Sequence, residues 1–265
     1  MNTLLIIDPQ NDFCNPGDET GKGKGSLFVP GADEDMKRLA WWILSNCETL
    51  DLITVTLDNH YLNDIAHPNY WENEEGQNPE PFTIITLNDV KSKKWLPVFS
   101  YERTLEYLEN LEKQGEYPHT IWPEHCLIGS EGAAIYKPVF DAINEWSKRG
   151  NFFQPVMKGA YPFSEHFGAF AAQVIFNDAL ETQVNNGLID QLGKFDNVFV
   201  AGEARSHCVA NTLKQLADYA PGLVSKLIVL EDTMSNVSGL DTIAGPIFEK
   251  VRELGAIFKK TTDFE

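Results

Sequence analysis

Five short runs of apolar residues recur along the chain, and stretches with a helical spacing of apolar residues lie between them. The apolar runs occupy residues 4–7, 52–57, 152–157, 198–201 and 227–230. Each run is apolar at consecutive positions, which indicates strands buried on both faces, as in a parallel sheet covered by helices. Helices are predicted at 36–46, 132–147, 208–220 and 242–254. The alternation predicts an α/β fold, a three-layer α/β/α sandwich around a doubly wound, mainly parallel sheet.

One segment, at about 68–119, interrupts this alternation because it is polar and contains several prolines. Its aromatic residues, such as Trp71 and Trp95, stand among charged residues, and we expect them to be exposed. Only a short helix near 104–112 is predicted there. We therefore expect a single domain over residues 1–265 with an irregular insertion at about 68–119. Insertions of this length are usually functional, and both a lid and an interface remain open for this one.

Composition and charge argue against several classes of protein. The chain has 21 Lys and Arg residues against 39 Asp and Glu residues, a net charge of −18. Such a surface repels phosphate backbones, so we expect no nucleic-acid partner. We also expect no membrane partner, since no run approaches the roughly 18 apolar residues of a membrane-spanning helix. The N-terminus lacks the basic region of a signal peptide, and the four cysteines then indicate free thiols in the cytoplasm.

Chemically active side chains follow four of the predicted strands. In open parallel sheets, ligands bind at the carboxyl ends of the strands, so the residues that leave each strand are the first candidates for a site. We expect these residues to meet at one edge of the sheet. In chain order they are Asp8, the pair Asp58 and His60, Lys158 and Cys208.

Cys208 is the best candidate for a nucleophile because it follows a glycine-containing strand end and begins a predicted helix. The N-terminus of a helix favours a thiolate, and its free N–H groups can stabilise an oxyanion. The alternative is a buried structural cysteine. The neighbouring His207 points about 100° away on a helix, so Asp8 and Lys158 are better placed to activate the thiol.

Asp58 and His60 are also candidates for a metal site. They are two positions apart on an extended segment, so their side chains share a face. Carboxylate and imidazole ligands suit zinc, iron or manganese. His67 and His125 are further candidates from nearby loops. The two histidines that we expect to be structural are His119 and His166.

Taken in order, these motifs resemble the nicotinamidase branch of the isochorismatase-like cysteine hydrolases. The resemblance covers nearly the whole chain outside the insertion, and it implies a Rossmann-like three-layer α/β fold. The matching segments are Asp8-x-Gln10-Asn11-Asp12-Phe13-Cys14, Asp58-x-His60, Trp122-Pro123-x-His125-Cys126 followed by Gly129 and Gly132, Lys158-Gly159, and Gly202-x-Ala204-x-x-x-Cys208-Val209.

The resemblance implies a site of four parts. The catalytic triad would be Asp8, Lys158 and Cys208. A cis peptide between Glu203 and Ala204 would direct the backbone N–H groups of Ala204 and Cys208 at the oxyanion. Phe13 and Trp122 would enclose the substrate ring, although a packing role alone is the alternative for both. One divalent metal ion, with zinc expected and iron or manganese as alternatives, would be bound by Asp58, His60 and His125, with His67 as a fourth ligand in some members.

The function implied is hydrolysis of a small carboxamide, nicotinamide to nicotinate plus ammonia, through a thioester on Cys208. Three alternatives remain open. A related member could act on a different small amide or carbamate, metal-bound water could be the nucleophile with Cys208 incidental, or the fold could serve as a binding module. The expected partner is a small-molecule amide, and the resemblance also implies a homo-oligomer.

Overall fold

A parallel sheet crosses the centre of the protein in a computed structural model that describes residues 1–115, 117–240 and 242–264. In chain order the strands are β1 (Asn2–Ile7), β2 (Leu52–Asp58), β3 (Trp71–Glu72), β4 (Leu96–Pro97), β5 (Gln154–Lys158), β6 (Asn197–Gly202), β7 (Leu227–Leu230) and β8 (Ile257–Lys259). Within the described residues, six strands form one sheet in the order β5-β2-β1-β6-β7-β8, and each neighbouring pair is parallel. The chain therefore builds outward from β1 to one side and then from β6 to the other.

Helices cover both faces of this sheet. In chain order they are α1 (Asn11–Cys14), α2 (Ala32–Ser45), α3 (Leu87–Lys91), α4 (Tyr101–Gln114), α5 (Lys137–Ser147), α6 (Asn186–Leu192), α7 (Ala210–Tyr219), α8 (Pro221–Val224) and α9 (Gly245–Glu253). Within the described residues, every helix is too short or too polar to span a lipid bilayer.

The two faces of β1 show why the strands are apolar at consecutive positions. Leu4 and Ile6 pack into a core with residues of α2 and α5. Leu5 and Ile7 pack into a second core with residues of α6, α7 and α9. All four side chains are fully buried. The predicted three-layer α/β/α sandwich with a doubly wound parallel sheet is therefore confirmed.

The boundaries differ from the prediction in a few places. Helix α5 begins at Lys137 instead of residue 132, because the backbone at 132–134 forms hydrogen bonds with another segment of the chain. The carbonyls of Gly132 and Ala134 accept the N–H groups of Asp12 and Asn11, which draws this segment to the site edge of the sheet. Strand β8 and helix α6 were not predicted, since both are short and their apolar positions are few.

The segment at 68–119 has more regular structure than the sequence predicts. It contains α3, α4 and the antiparallel pair of β3 and β4. Buried aromatic residues, among them Tyr70, Trp71 and Tyr107, form an apolar cluster there. The expectation that Trp71 is exposed is wrong: the side chain is fully buried, and its indole N–H donates to the carbonyl of Ile65 over 2.8 Å. Trp95 is only partly buried against the same cluster.

Candidate active site

The structure brings Asp8, Lys158 and Cys208 together at the carboxyl edge of the sheet. The Nζ atom of Lys158 lies 2.9 Å from Oδ2 of Asp8 and 3.9 Å from Sγ of Cys208. All three residues are buried, and Asp8 is completely inaccessible to solvent. An acid, an amine and a thiol that are far apart in the sequence thus form one contiguous group.

The junction of β1 and β6 explains this convergence. The direction in which successive strands are added to the sheet reverses between these two parallel strands, and Ile7 pairs with Gly202 at their ends. Gly202 has φ +123°, and a Cβ atom there would lie 2.1 Å from the carbonyl oxygen of Ile7. Only glycine lets the two strand ends approach this closely. Asp8 and the segment that carries Cys208 therefore leave the sheet side by side.

Cys208 lies in a π-helical turn, Arg205–Val209, that leads directly into α7. The carbonyl of Ala204 accepts the N–H groups of His207 and Val209, both over 3.1 Å. The peptide bond between Glu203 and Ala204 is cis, as the resemblance implied. The structure thus places the thiol at the beginning of a helical segment, where the sequence predicts it.

Asp8 is held in position by its neighbour on β2. The Thr56 hydroxyl donates to Oδ1 of Asp8 over 2.6 Å, and the same hydroxyl oxygen accepts the Asp8 N–H over 3.0 Å. The backbone of Asp8 has φ +43°, which is uncommon for a residue other than glycine and typical of functional sites. Its Oδ2 atom is therefore left to face Lys158.

Burial determines the resting charges of the triad. It raises the pKa of the Cys208 thiol well above the ordinary value, although Lys158 opposes this effect. It also raises the pKa of Asp8, again partly offset by Lys158. Burial lowers the pKa of Lys158, but Asp58 and Asp8 more than offset this, so that its pKa lies well above the usual range. At Cys208 the loss of hydration therefore outweighs the favourable charges around it, and the protonated thiol is favoured at rest.

Asp58, His60 and His125 form a buried group that can hold a metal ion. One ligand atom from each lies within 4.8 Å of the other two. Nε2 of His60 is 3.1 Å, and Nε2 of His125 is 3.7 Å, from Oδ2 of Asp58. The other carboxylate oxygen of Asp58 lies 3.1 Å from Nζ of Lys158, so the metal group and the triad adjoin.

A hydrogen bond orients the imidazole of His125, and a close carboxylate faces that of His60. Nδ1 of His125 lies 2.8 Å from the carbonyl oxygen of Pro123, which can only accept, so this nitrogen carries the proton and leaves a lone pair on Nε2. Nδ1 of His60 lies 3.2 Å from Oδ2 of Asp64. A carboxylate that accepts from the outer nitrogen of a histidine is the common support of a metal ligand. The donor set, one carboxylate and two imidazoles, fits a divalent transition metal.

His67 lies beside this group rather than within it. Its Nε2 atom is 3.3 Å from Nδ1 of His125 and accepts the His125 backbone N–H over 3.4 Å. Its Nδ1 atom lies 3.2 Å from the carbonyl oxygen of Tyr61. Burial, together with His125 and His60, lowers its pKa to about 2. His67 is therefore a neutral imidazole that supports His125, and its role as a fourth ligand stays a prediction.

A pocket of about 380 Å³, part of which is open to solvent, lies between the triad and the metal group, and we call it the catalytic pocket. Its lining residues include the nucleophile candidate, two of the metal-group residues and both predicted ring-binding residues: Cys208, Asp58, His125, Phe13 and Trp122. The ring of Phe13 meets that of His125 edge-on at 5.5 Å.

Sequence reasoning missed a residue of this pocket, Glu165. Its Oε1 atom accepts the indole N–H of Trp122 over 2.9 Å, and burial raises its pKa to about 8. The available signal was weak: Glu165 lies in the loop after β5, seven positions beyond Lys158. The next residue, His166, contributes its backbone, whose carbonyl accepts from Lys158 over 2.9 Å.

The other histidines differ in their surroundings. His119 lies between the rings of Trp71 and Tyr107, and burial lowers its pKa to about 3, in keeping with a structural role. His207 lines the catalytic pocket, but its Nδ1 atom lies 2.9 Å from the Ser206 hydroxyl. Burial lowers the pKa of His207 to about 4.

Comparisons with known proteins find relatives along nearly the whole chain. The chain is 23% identical to a nicotinamidase of Saccharomyces cerevisiae, over 95% of this chain and 96% of that protein. It is 24% identical to a nicotinamidase of Escherichia coli, over 99% and 96% of the two chains. No protein-family model matches the chain.

Solved structures share the fold. The yeast nicotinamidase superimposes with a TM-score of 0.65 at 20% identity, over 97% of this chain and 99% of the other. A nicotinamidase–pyrazinamidase of Acinetobacter baumanii gives 0.62 at 21% identity, over 100% and 98%. A pyrazinamidase of Pyrococcus horikoshii in complex with zinc gives 0.54 at 15% identity, over 98% of each chain.

The fold is a three-layer α/β/α sandwich, and its site combines a thiol, an acid and an amine at the switch point of the sheet. The predicted resemblance to the nicotinamidase branch of the isochorismatase-like hydrolases is supported by the matches to two nicotinamidases along nearly the whole chain, and the solved nicotinamidase structures share the fold.

Proposed function

We propose that this protein is an amidohydrolase that converts nicotinamide to nicotinate and ammonia through a cysteine thioester. The observation that carries the proposal is the position of Lys158 Nζ, 2.9 Å from the acid Asp8 and 3.9 Å from the thiol of Cys208 at the wall of the catalytic pocket. The nicotinamidases that match along the whole chain support the choice of substrate.

Proton transfer from Cys208 to Asp8 begins the reaction. The buried thiol is protonated at rest, so a base must remove its proton as sulfur attacks the amide carbon. Asp8 is the nearby carboxylate, and the raised pKa of its carboxyl makes it a better base than an exposed aspartate. Lys158 stays charged and stabilises the negative charge that moves from Asp8 to sulfur.

The backbone N–H groups of Ala204 and Cys208 are the proposed donors to the oxyanion. One such donor contributes about 3–4 kcal/mol in comparable sites. The tetrahedral intermediate then collapses: the C–N bond breaks, Asp8 returns its proton to the leaving nitrogen, and ammonia departs. Water hydrolyses the remaining thioester to the acid and restores the thiol.

Phe13 and Trp122 are proposed to enclose the substrate ring, and the hydrogen bond from Trp122 to Glu165 fixes the indole. Asp58, His60 and His125 would hold a divalent metal ion, for which we propose zinc. When bound, the ion would anchor the ring nitrogen of the substrate as a Lewis acid. A cytoplasmic location and a homo-oligomer stay predictions.

An ammonia-release assay with nicotinamide tests the proposal. We expect wild-type protein to release ammonia and the Cys208→Ala variant to lose turnover by at least about 10⁴-fold, as for other removed nucleophiles, while it keeps its metal content. Cys47→Ala is the matched control, since Cys47 lies outside the pocket residues. Full activity of Cys208→Ala would instead favour metal-bound water as the nucleophile, and no turnover by wild-type protein would refute the substrate.

A further inference from the structure

A second cavity adjoins the catalytic pocket on its outer side. It encloses about 810 Å³, part of which is open to solvent, and we call it the outer vestibule. The residues that line it but not the catalytic pocket include Phe82, Ile84, Tyr117, Thr120, Leu240 and Ile243. Four of these six belong to the loops that flank the insertion's helices, at 82–84 and 117–120.

The two cavities share a wall of rings. Trp122, Phe167 and His207 line both of them. The His207 ring lies 5.2 Å from that of Trp122 and 5.4 Å from that of Phe167. Side-chain rings thus form the boundary at these positions, and the two cavities lie directly on either side of it.

The vestibule is suited to an uncharged, apolar group. Among the described residues that line it, none carries a formal charge at neutral pH, although the net charge of the chain is −18. Phe82 and Ile84 are 57% and 50% exposed, and apolar surface of this kind in a concave site is typical of ligand binding.

The backbone of Phe82 supports the same conclusion. It has φ +68°, an outlier for a bulky residue, and such strain is concentrated at sites that clamp ligands. The Phe82 ring stands nearly perpendicular to that of Trp122, with the centroids 6.0 Å apart. Phe82 thus extends the aromatic wall of the catalytic pocket outward.

We propose that the outer vestibule receives an apolar substituent on the ring of the amide substrate, so that the enzyme hydrolyses aryl carboxamides larger than nicotinamide. The inference rests on the proposed amide hydrolysis and adds the substrate class. The carboxamide and its ring occupy the catalytic pocket, and the substituent passes the shared rings to contact Ile84.

The experiment compares nicotinamide with nicotinamides that carry a phenyl, butyl or carboxyethyl group at ring position 5 or 6. For at least one position, we expect kcat/KM for the phenyl or butyl compound to lie within tenfold of that for nicotinamide. The carboxyethyl compound should be at least 100-fold worse, because its charge would enter an uncharged cavity.

The variant Ile84→Glu tests whether the outer vestibule is where the apolar substituent binds, since Ile84 lines the vestibule but not the catalytic pocket. We expect kcat/KM for the accepted apolar compound to fall at least tenfold and that for nicotinamide to change less than twofold. Ile175→Glu, at an exposed residue outside both cavities, should change neither value.

Three results would overturn the inference. One is turnover of nicotinamide while every substituted compound is neither hydrolysed nor inhibitory. Another is an equal loss for both substrates in Ile84→Glu. The third is a stable oligomer that Ile84→Glu dissociates, since a second copy would then cover the vestibule. Failure of wild-type protein to hydrolyse any of the amides would instead refute the proposed function itself.

Discussion

Glu165 makes the stability of this protein depend on pH in an unusual direction. The side chain is 4% exposed and accepts the indole N–H of Trp122. Burial raises its pKa from 4.5 to about 8. The folded protein therefore binds this proton more tightly than the unfolded chain does. An ion pair has the opposite effect, because it lowers the pKa of a carboxyl in the folded state. We predict that replacement of this carboxyl by an amide stabilises the protein at alkaline pH.

The magnitude follows from the two pKa values. Each tenfold difference in proton affinity corresponds to about 1.4 kcal/mol. Below pH 4.5 the carboxyl is neutral in both states and contributes no pH dependence. Between pH 4.5 and about pH 8, the carboxyl loses its proton in the unfolded chain but keeps it in the folded protein. The free energy of unfolding therefore falls over this range, by about 5 kcal/mol in total. This is a large fraction of the roughly 5–15 kcal/mol that stabilises an ordinary domain.

Urea unfolding of wild-type protein and Glu165→Gln between pH 5 and 9 measures this effect. The amide oxygen of Gln can still accept from Trp122, so the variant removes only the titration. We expect the two free energies to agree within about 1 kcal/mol at pH 5, and the variant to be more stable by about 3 kcal/mol at pH 7 and about 5 kcal/mol at pH 9. The protein is kept metal-free with a chelator, because a nearby cation would lower this pKa.

A matched variant, Glu102→Gln, changes an exposed residue of α4 and should leave the pH profile of the wild type unchanged. The reasoning is refuted if the difference between wild type and Glu165→Gln is constant over the whole pH range, since Glu165 would then titrate alike in both states.

Three further outcomes are expected. Lys158→Met leaves two buried carboxylates without a counter-charge and should cost about 3–5 kcal/mol in urea unfolding, whereas Lys214→Met, at a partly exposed ion pair, should cost less than about 1 kcal/mol; equal losses would contradict the buried pairing. Gly202→Ala places a Cβ atom 2.1 Å from a backbone oxygen and should destabilise the protein by more than about 3 kcal/mol. Gly222→Ala meets nothing within 4 Å and serves as its control in the same thermal melts. Asp64→Asn should weaken zinc affinity about 10–100-fold in a chelator competition, and unchanged affinity would exclude Asp64 as the support of His60.

The sheet and the triad could be predicted because both depend on features that are local in the sequence. Strands such as β1 are buried on both faces, and this burial requires apolar residues at consecutive positions. A parallel sheet then brings the residues after its strands to one edge, whatever their separation in the chain. Asp8 follows β1 directly, Lys158 is the last residue of β5, and Cys208 lies in the first turn after β6, so their meeting required no knowledge of the long loops.

The rest of the site depends on loops and on tertiary burial. Glu165 and Asp64 lie in irregular segments, where no periodic pattern marks the direction of a side chain. The resting state of the Cys208 thiol also depends on tertiary burial. The start of a helix is visible in the sequence, but the removal of water from the thiol depends on residues from several elements packed around it.

Lys158 forms ion pairs with Asp8 on one side and Asp58 on the other. Its ammonium group therefore links the catalytic triad to the proposed metal group. Any change that moves Asp58 away from Lys158 strengthens the ion pair between Lys158 and Asp8. The pKa of Asp8 then falls, and Asp8 becomes a weaker base. In the proposed mechanism, metal binding at Asp58 and the reactivity of the Cys208 thiol are consequently coupled through the amine of Lys158. Engineering the ion preference of this protein would retune its nucleophile at the same time.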